Sequence, residues 1–167
     1  METPKPTLQP QVIVAMKGHP GTGKSTIAAA IATALRCPLI DKDDIRDATL
    51  SLSSTATSSA LNDLSYAAMW RVASTQLRTG LSVVLDSPLS QRGHLDSVLR
   101  IAGGSHRVVI VECRPSDEAE WRRRVEMRGS EGHKPATWRD MELLLEGYGG
   151  CTEYDVGETL IEFMLML

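Results

Sequence analysis

The sequence predicts an α/β fold of three layers, αβα, with helices on both faces of a mostly parallel sheet of four to five strands. Three observations carry this. Short apolar runs alternate with helical segments at least four times along the chain, which is the pattern of βαβ units. The runs are almost continuously apolar, as strands covered on both faces must be. The first run passes into a glycine-rich turn and then into a helix, and in parallel sheets ligands bind at such carboxyl ends of strands.

The elements follow in order. Residues 1–11, "METPKPTLQPQ", carry three prolines and read as a flexible tail, leaving 12–167 as a single domain. A chain of 167 residues is long enough for one real core. Val12–Gly18 is the first strand, and Lys24–Arg36 has the Ala/Leu content of a helix. Cys37–Asp41 is a short strand. A helical piece starts near Asp44 and meets a Ser/Thr-rich stretch, Ser51–Ala60, expected as a mobile loop because its hydroxyls compete for backbone hydrogen bonds. Leu61–Gly80 is a long helix with a glycine C-cap. Leu81–Asp86 is the third strand, Ser90–Gly104 a helix, and Arg107–Cys113 the fourth strand. Ser116–Gly129 is a charged helix, acidic in its first turn and basic in its last, which matches the helix dipole. Thr137–Gly150 is a further helix, and no internal repeat is visible.

Composition narrows the function. Net charge is −3, which argues against bulk nucleic-acid or membrane attraction but leaves room for a local basic groove. Cys37, Cys113 and Cys151 are odd in number and form no CxxC pair. Buried reduced thiols in a cytoplasmic protein fit them better than a disulfide scaffold or a zinc site. No apolar leader precedes the first strand, and the apolar end "LIEFMLML" is too short to cross a bilayer.

The turn "GHPGTGKS", Gly18–Ser25, matches G-x-x-x-x-G-K-[ST]. Its glycines let successive N–H groups point inward at phosphate oxygens. Lys24 adds positive charge for the β- and γ-phosphates, the Ser25 hydroxyl suits Mg²⁺, and the helix dipole points at the same place. Gly18, Gly21, Thr22, Gly23, Lys24, Ser25 and Thr26 are therefore the expected nucleotide-binding residues. Strand before and helix after give this short motif the context it requires. His19 reads as an exposed or backbone-bonded loop residue.

Other strand ends converge on this loop. The second strand delivers "IDKDDIRDATL", residues 40–50, and the third delivers Asp86. Asp86 suits Mg²⁺ held through water, or a cap on the next turn. Asp43 or Asp44 is placed to cap the following helix, with Asp47 as a capping-box partner. Capping does not account for Arg46, a cation facing the positive end of a helix. Neighbouring aspartates or an anionic ligand would compensate it.

Together "GHPGTGKST", "DKDDIR", a strand ending in "LDS", and "RRRVEMRG" resemble the small P-loop kinases of the P-loop NTPase superfamily, over about Val12–Tyr148. The likeness is closest to the polynucleotide-kinase-like and zeta-toxin-like group, with gluconate, shikimate and chloramphenicol kinases more distant. The resemblance implies transfer of the γ-phosphoryl of ATP, with Mg²⁺, to a hydroxyl of a small molecule, a nucleotide or a polynucleotide end. It implies Asp43 as general base and Arg46 as its phosphate-facing partner. It implies Arg124 and Arg128 as catalytic arginines of a lid at about 115–138, and Asp86 as a magnesium-associated or acceptor-site acid. Such chemistry needs in-line positioning and charge neutralisation more than covalent help. As a plain helix face, the same lid arginines would be solvated by i,i+4 pairs, Glu118–Arg122 and Glu120–Arg124. Gly129–Trp138 reads as a mobile closing loop, with His133 and Lys134 as exposed loop residues. A monomer is expected.

The family pattern places a fifth strand after the lid, followed by a loop that contacts adenine. Residues 150–167 show no clear example, and "TLIEFMLML" is open between strand and helix. The alternative function is therefore a non-catalytic nucleotide-binding module with an incomplete base site. Hydrolysis without an acceptor is a third, for which no acidic motif to position water is present. The acidic net charge favours a small acceptor.

Overall fold

The computed structural model describes residues 10–129, 133–157 and 161–166. The expected tail, apart from its last two residues, lies outside these, as do residues 130–132 of the expected closing loop. Among the described residues five strands form one sheet: β1 (Val12–Lys17), β2 (Leu39–Asp41), β3 (Val83–Asp86), β4 (Arg107–Arg114) and β5 (Ile161–Met166). Their order is β2-β3-β1-β4-β5, and every pairing is parallel. Six α-helices, α1 (Lys24–Leu35), α2 (Lys42–Ala48), α3 (Ser58–Arg78), α4 (Arg92–Ala102), α5 (Glu118–Arg128) and α6 (Trp138–Tyr148), lie among them. The expected αβα class holds.

The two faces of β1 show why its sequence is continuously apolar. Ile13 and Ala15 pack with Met69, Leu85, Leu95 and Val98, towards α3 and α4. Val14 and Met16 pack with Ala28 and Ala32, towards α1. Side chains alternate across a strand, so a strand with helices on both sides needs apolar residues at every position. A third, smaller core joins α5 and α6 through Val125, Trp138 and Met141.

Three boundaries differ from expectation. The Ser/Thr-rich stretch is partly ordered: a 3-10 turn occupies Leu50–Leu52, and Thr57 caps α3 by accepting from Ala60 N at 3.1 Å. The hydroxyls that suggested a loop instead end one helical turn and begin a helix. Helix α2 starts at Lys42, directly after β2, so its cap is the last strand residue, Asp41, which accepts from Asp43 N at 2.7 Å. Asp43 and Asp44 are its first turn rather than its cap. The third difference is at the C-terminal end, where residues 161–166 are a strand that pairs with β4 from Val109↔Ile161 to Arg114↔Met166. An edge partner for β4 decides between strand and helix, which a short apolar run alone does not.

All three cysteines are free, but only Cys113 is buried; Cys151 is exposed. Among the described residues, no helix is long and apolar enough to cross a membrane.

The topology also positions the site. From β1 the chain moves to β2 and β3 on one side, then returns to β4 on the other. The reversal opens a crevice at the carboxyl ends of β1 and β4. Gly18, Asp41 and Asp86 stand at the carboxyl ends of β1, β2 and β3.

Candidate active site

Between β1 and α1 the loop curls through three positive-φ glycines, Gly18 (φ 144°), Gly21 (φ 80°) and Gly23 (φ 83°). A Cβ on Gly18 would stand 2.5 Å from the carbonyl oxygen of Cys113. One on Gly21 would stand 2.9 Å from Val125 Cγ2. These positions need glycine for space as well as for backbone angle. The loop is held from outside: Gly18 N donates to Pro88 O at 3.1 Å, and Trp121 Nε1 of α5 donates to Pro20 O at 2.8 Å. His19 is not a free loop residue. It stacks against Trp121 and Tyr148, with centroids 6.0 and 5.7 Å away. Burial, then Lys17, lowers its pKa.

Lys24 is buried and donates to Asp86 Oδ1 at 3.0 Å. Asp86 is 1% exposed, and its Oδ2 has no hydrogen-bond partner. A buried carboxylate oxygen without a partner is costly unless something else meets it. Ser25 and Thr26 are exposed at the start of α1. Among the described residues, no group of three or more His, Cys, Asp or Glu could cage a metal. The donor set is therefore one hydroxyl and one carboxylate beside a phosphate cradle. That fits Mg²⁺, which binds through one or two protein oxygens plus substrate phosphates and water.

Asp43 lies at the centre of a cluster of cations. Its Oδ1 is 2.8 Å from Lys42 Nζ and 3.2 Å from His133 Nε2; its Oδ2 is 3.2 Å from Lys134 Nζ. Burial raises its pKa, but the hydrogen bond from His133 and the charge and hydrogen bond of Lys42 outweigh it, so the net shift is strongly downward. Lys42 also donates to Asn62 Oδ1 at 3.2 Å and lies over the Tyr66 ring. His133 Nδ1 meets Asp47 Oδ1 at 2.8 Å. His133 and Lys134, expected as exposed, are thus part of the site. Asp41, opposite Asp86 in the β2–β3 register, has its pKa raised by burial first and by Asp86 second.

Arg46 is not brought to this cluster. It is buried, with Nη1 3.4 Å from Thr49 Oγ1 and Nη2 3.3 Å from Ser58 Oγ. It is absent from the lining of the clefts described below.

Most of the other expected residues do converge. A cleft of about 460 Å³ is lined by Gly21, Gly23, Lys24, Ser25, Thr26, Asp43, Arg124, Arg128 and Lys134, among others. Gly18, Thr22 and Asp86 are not in its lining; Thr22 is buried and donates to His19 O at 2.8 Å, and Asp86 is buried against Lys24. Arg128 Nε is buried without a partner, and Nη2 donates to Pro135 O at 3.4 Å. Arg124 Nε is 2.9 Å from Glu120, the expected i,i+4 pair. Arg122 pairs with Glu126 at 3.1 Å instead of with Glu118. A neighbouring pocket of about 680 Å³ shares Pro20, Asp43, Pro88 and Lys134 with the cleft.

Pro88 and Tyr148 had no signal in the sequence. Pro88 belongs to a turn that continues through Leu89, which has a left-handed backbone (φ 48°) and accepts from Tyr154 Oη at 2.6 Å. Such strain persists where surrounding contacts hold it.

A family model described as an AAA domain matches residues 13–146. Solved structures share the fold. One is of a putative kinase from Chloroflexus aurantiacus J-10-fl, with TM-score 0.71 and 19% identity over 95% of this chain and 90% of that one. A gluconokinase from Sinorhizobium meliloti 1021 gives 0.57 and 23% over 95% and 84%. The Mycobacterium tuberculosis APS kinase CysC, in complex with AMPPNP and APS, gives 0.55 and 18% over 69% and 68%. No curated protein matches the sequence.

Proposed function

The chain belongs to the AAA domain family matched over residues 13–146, and from that premise we propose that it is an ATP-dependent kinase that phosphorylates a hydroxyl. The observation that carries this reading is the position of Asp43, which borders both the phosphate cleft and the neighbouring pocket. A hydroxyl seated in the pocket would meet Asp43 on one side and the γ-phosphoryl on the other. The kinases among the solved neighbours, one of them bound to AMPPNP, support the same reading.

In this proposal the loop amides and Lys24 hold the ATP phosphates, and Lys24 exchanges its bond to Asp86 for one to phosphate. Ser25 and Asp86 would hold Mg²⁺, which neutralises phosphate charge when bound. Arg128, with its buried unpartnered Nε, and Arg124 face the same cleft and offset charge on the transferring group. Asp43 is a weak base because its pKa is depressed. Phosphoryl transfer tolerates that, since its loose transition state leaves the acceptor proton to be taken late. Lys42 and His133 fix the carboxylate's orientation. Arg46 acts as a positioning residue: its bonds to Thr49 and Ser58 tie the end of α2 to the start of α3. The motif residues also support the narrower kinship with polynucleotide-kinase-like and zeta-toxin-like kinases.

The test is transfer from γ-labelled ATP across sugars, nucleosides, metabolites and 5′-hydroxyl oligonucleotides. Transfer that collapses in Asp43→Asn while ATP binding persists supports the proposal. ATP binding that needs Lys24, with no transfer to any acceptor, selects the non-catalytic module instead.

A further inference from the structure

We infer that the 680 Å³ pocket is the acceptor subsite and that it selects an uncharged, ring-bearing alcohol. The inference rests on the kinase reading above for the word acceptor, and on the pocket's own chemistry for the selection.

Charge is the first argument. The formally charged residues lining the pocket are Lys42, Lys134, Asp43 and Asp140, and no arginine lines it among the described residues. Both lysines are within ion-pair distance of Asp43. Asp140 is engaged with Thr137 in the capping box of α6. His133 bridges Asp43 and Asp47. His94 has its pKa lowered to about 4, by burial first and Lys42 second, so its ring is neutral near pH 7. The lining thus carries two lysines against two aspartates, with no formal excess of cations, and both lysines are already drawn to Asp43. A carboxylate or phosphate on the ligand would have to draw a lysine away from Asp43, leaving a largely buried carboxylate short of one of its two lysine partners. Arg128 donates to the lining residue Pro135 but itself lines the phosphate cleft, and Arg46 is engaged with Thr49 and Ser58.

Shape and surface are the second argument. The volume falls within the range of about 300–1,000 Å³ typical of small-molecule sites. Aromatic walls come from Tyr66, His94 and Tyr148, with Tyr66 and His94 stacked at 3.9 Å. Leu143 and Leu144 close an apolar side. Flat apolar rings pack well on such walls, with offset or edge contacts adding to the burial. Asn62, Ser90 and Gln91 offer neutral hydrogen-bonding groups for the ligand's other hydroxyls.

The step balances without any further reagent. The acceptor oxygen forms a bond to the γ-phosphorus, and the bond from that phosphorus to the β–γ bridging oxygen breaks. ADP leaves with the electron pair, and the hydroxyl proton passes to the Asp43 carboxylate and then to solvent.

The experiment measures ligand binding by saturation-transfer NMR on the full chain with AMPPNP present. Uridine and phenyl β-D-glucopyranoside are the neutral probes; D-gluconate and shikimate are the acids. Tyr148→Ser removes an aromatic wall and Gln91→Arg adds a cation, with circular dichroism confirming that each folds. The same panel is then run with labelled ATP. The expected result is that neutral probes bind about tenfold or more tightly than acids, that Tyr148→Ser weakens them, and that Gln91→Arg raises acid binding. Acids that bind the wild type as well as the neutral probes do, neutral binding indifferent to Tyr148→Ser, or no binding at all would each overturn the selection. A preference for acids accompanied by transfer leaves the kinase reading standing. Neutral binding without transfer, while ATP is bound, uphold the selection and overturn the kinase reading.

Discussion

The phosphate cleft and the pocket beside it are built in opposite ways. The cleft's floor is one short loop between β1 and α1, shaped by Gly18 and Gly21, which have no room for a Cβ, and closed by a helix start. The pocket's walls are drawn mostly from α2, α3, α4, α6, the turn after β3 and residues 133–136 before α6. Backbone recognition suits a ligand part that is the same in every turnover, the phosphates. Side-chain recognition suits the part that distinguishes one enzyme from another. Asp43 joins them, and its cluster of Lys42, His133 and Lys134 is where the two regions meet.

Substitutions can break this division. The largest effect is expected from Asp43→Asn, which keeps the shape and removes the proposed proton acceptor. Transfer should fall about 10²–10⁴-fold, with ATP affinity little changed; equal rates in mutant and wild type would remove Asp43 from the chemistry. Gly18→Ala should cost about 2–4 kcal/mol of stability, read as a lower urea midpoint, because the new methyl meets a carbonyl oxygen that cannot step aside. Lys24→Ala should weaken ATP binding about 10–100-fold by calorimetry, without changing binding of neutral probes in the pocket. A parallel loss in both would show that the regions are not separable. Trp121→Phe removes the hydrogen bond to Pro20 O. About 1 kcal/mol of stability should go with it, with a rise in KM for ATP rather than for the acceptor.

The smallest effect concerns pH. His94 in the folded protein protonates near pH 4, against an ordinary value of 6.5. Acidification through that window favours the unfolded chain, which binds the proton first. Asp43 acts in the same direction lower down: its depressed pKa contributes stability above the unfolded value of about 4, lost as pH falls further. His94→Gln should therefore flatten the decline in Tm between pH 6.5 and 4, by about 2 °C. An unchanged slope would mean that His94 is not held neutral.

Much of the fold was legible because its signals are local. Continuous apolar runs at Val12–Lys17 and Val83–Asp86 announce strands covered on both faces, and the glycine loop announces phosphate. Less legible were features that depend on partners distant in sequence. Asp41 caps α2 because the helix follows β2 without a linker. Residues 161–166 become a strand because β4 offers a free edge. His133 and Lys134 look like loop residues until the fold brings them to Asp43, about ninety residues earlier. Arg46 carried a motif signal, yet in the structure it spans Thr49 and Ser58.

The sequence by itself determined the layer architecture, the strand-loop-helix cradle and the convergence of Asp43 and Asp86 on one sheet edge. These follow from periodicity, glycine conformation and parallel topology, which act over a few residues at a time. Only the tertiary structure decided which cations surround Asp43, that Arg46 bonds Thr49 and Ser58 instead of joining them, and what lines the neighbouring pocket. Those depend on the packing of side chains from separate helices, where position is set by the contacts of the whole core and not by neighbours in the chain.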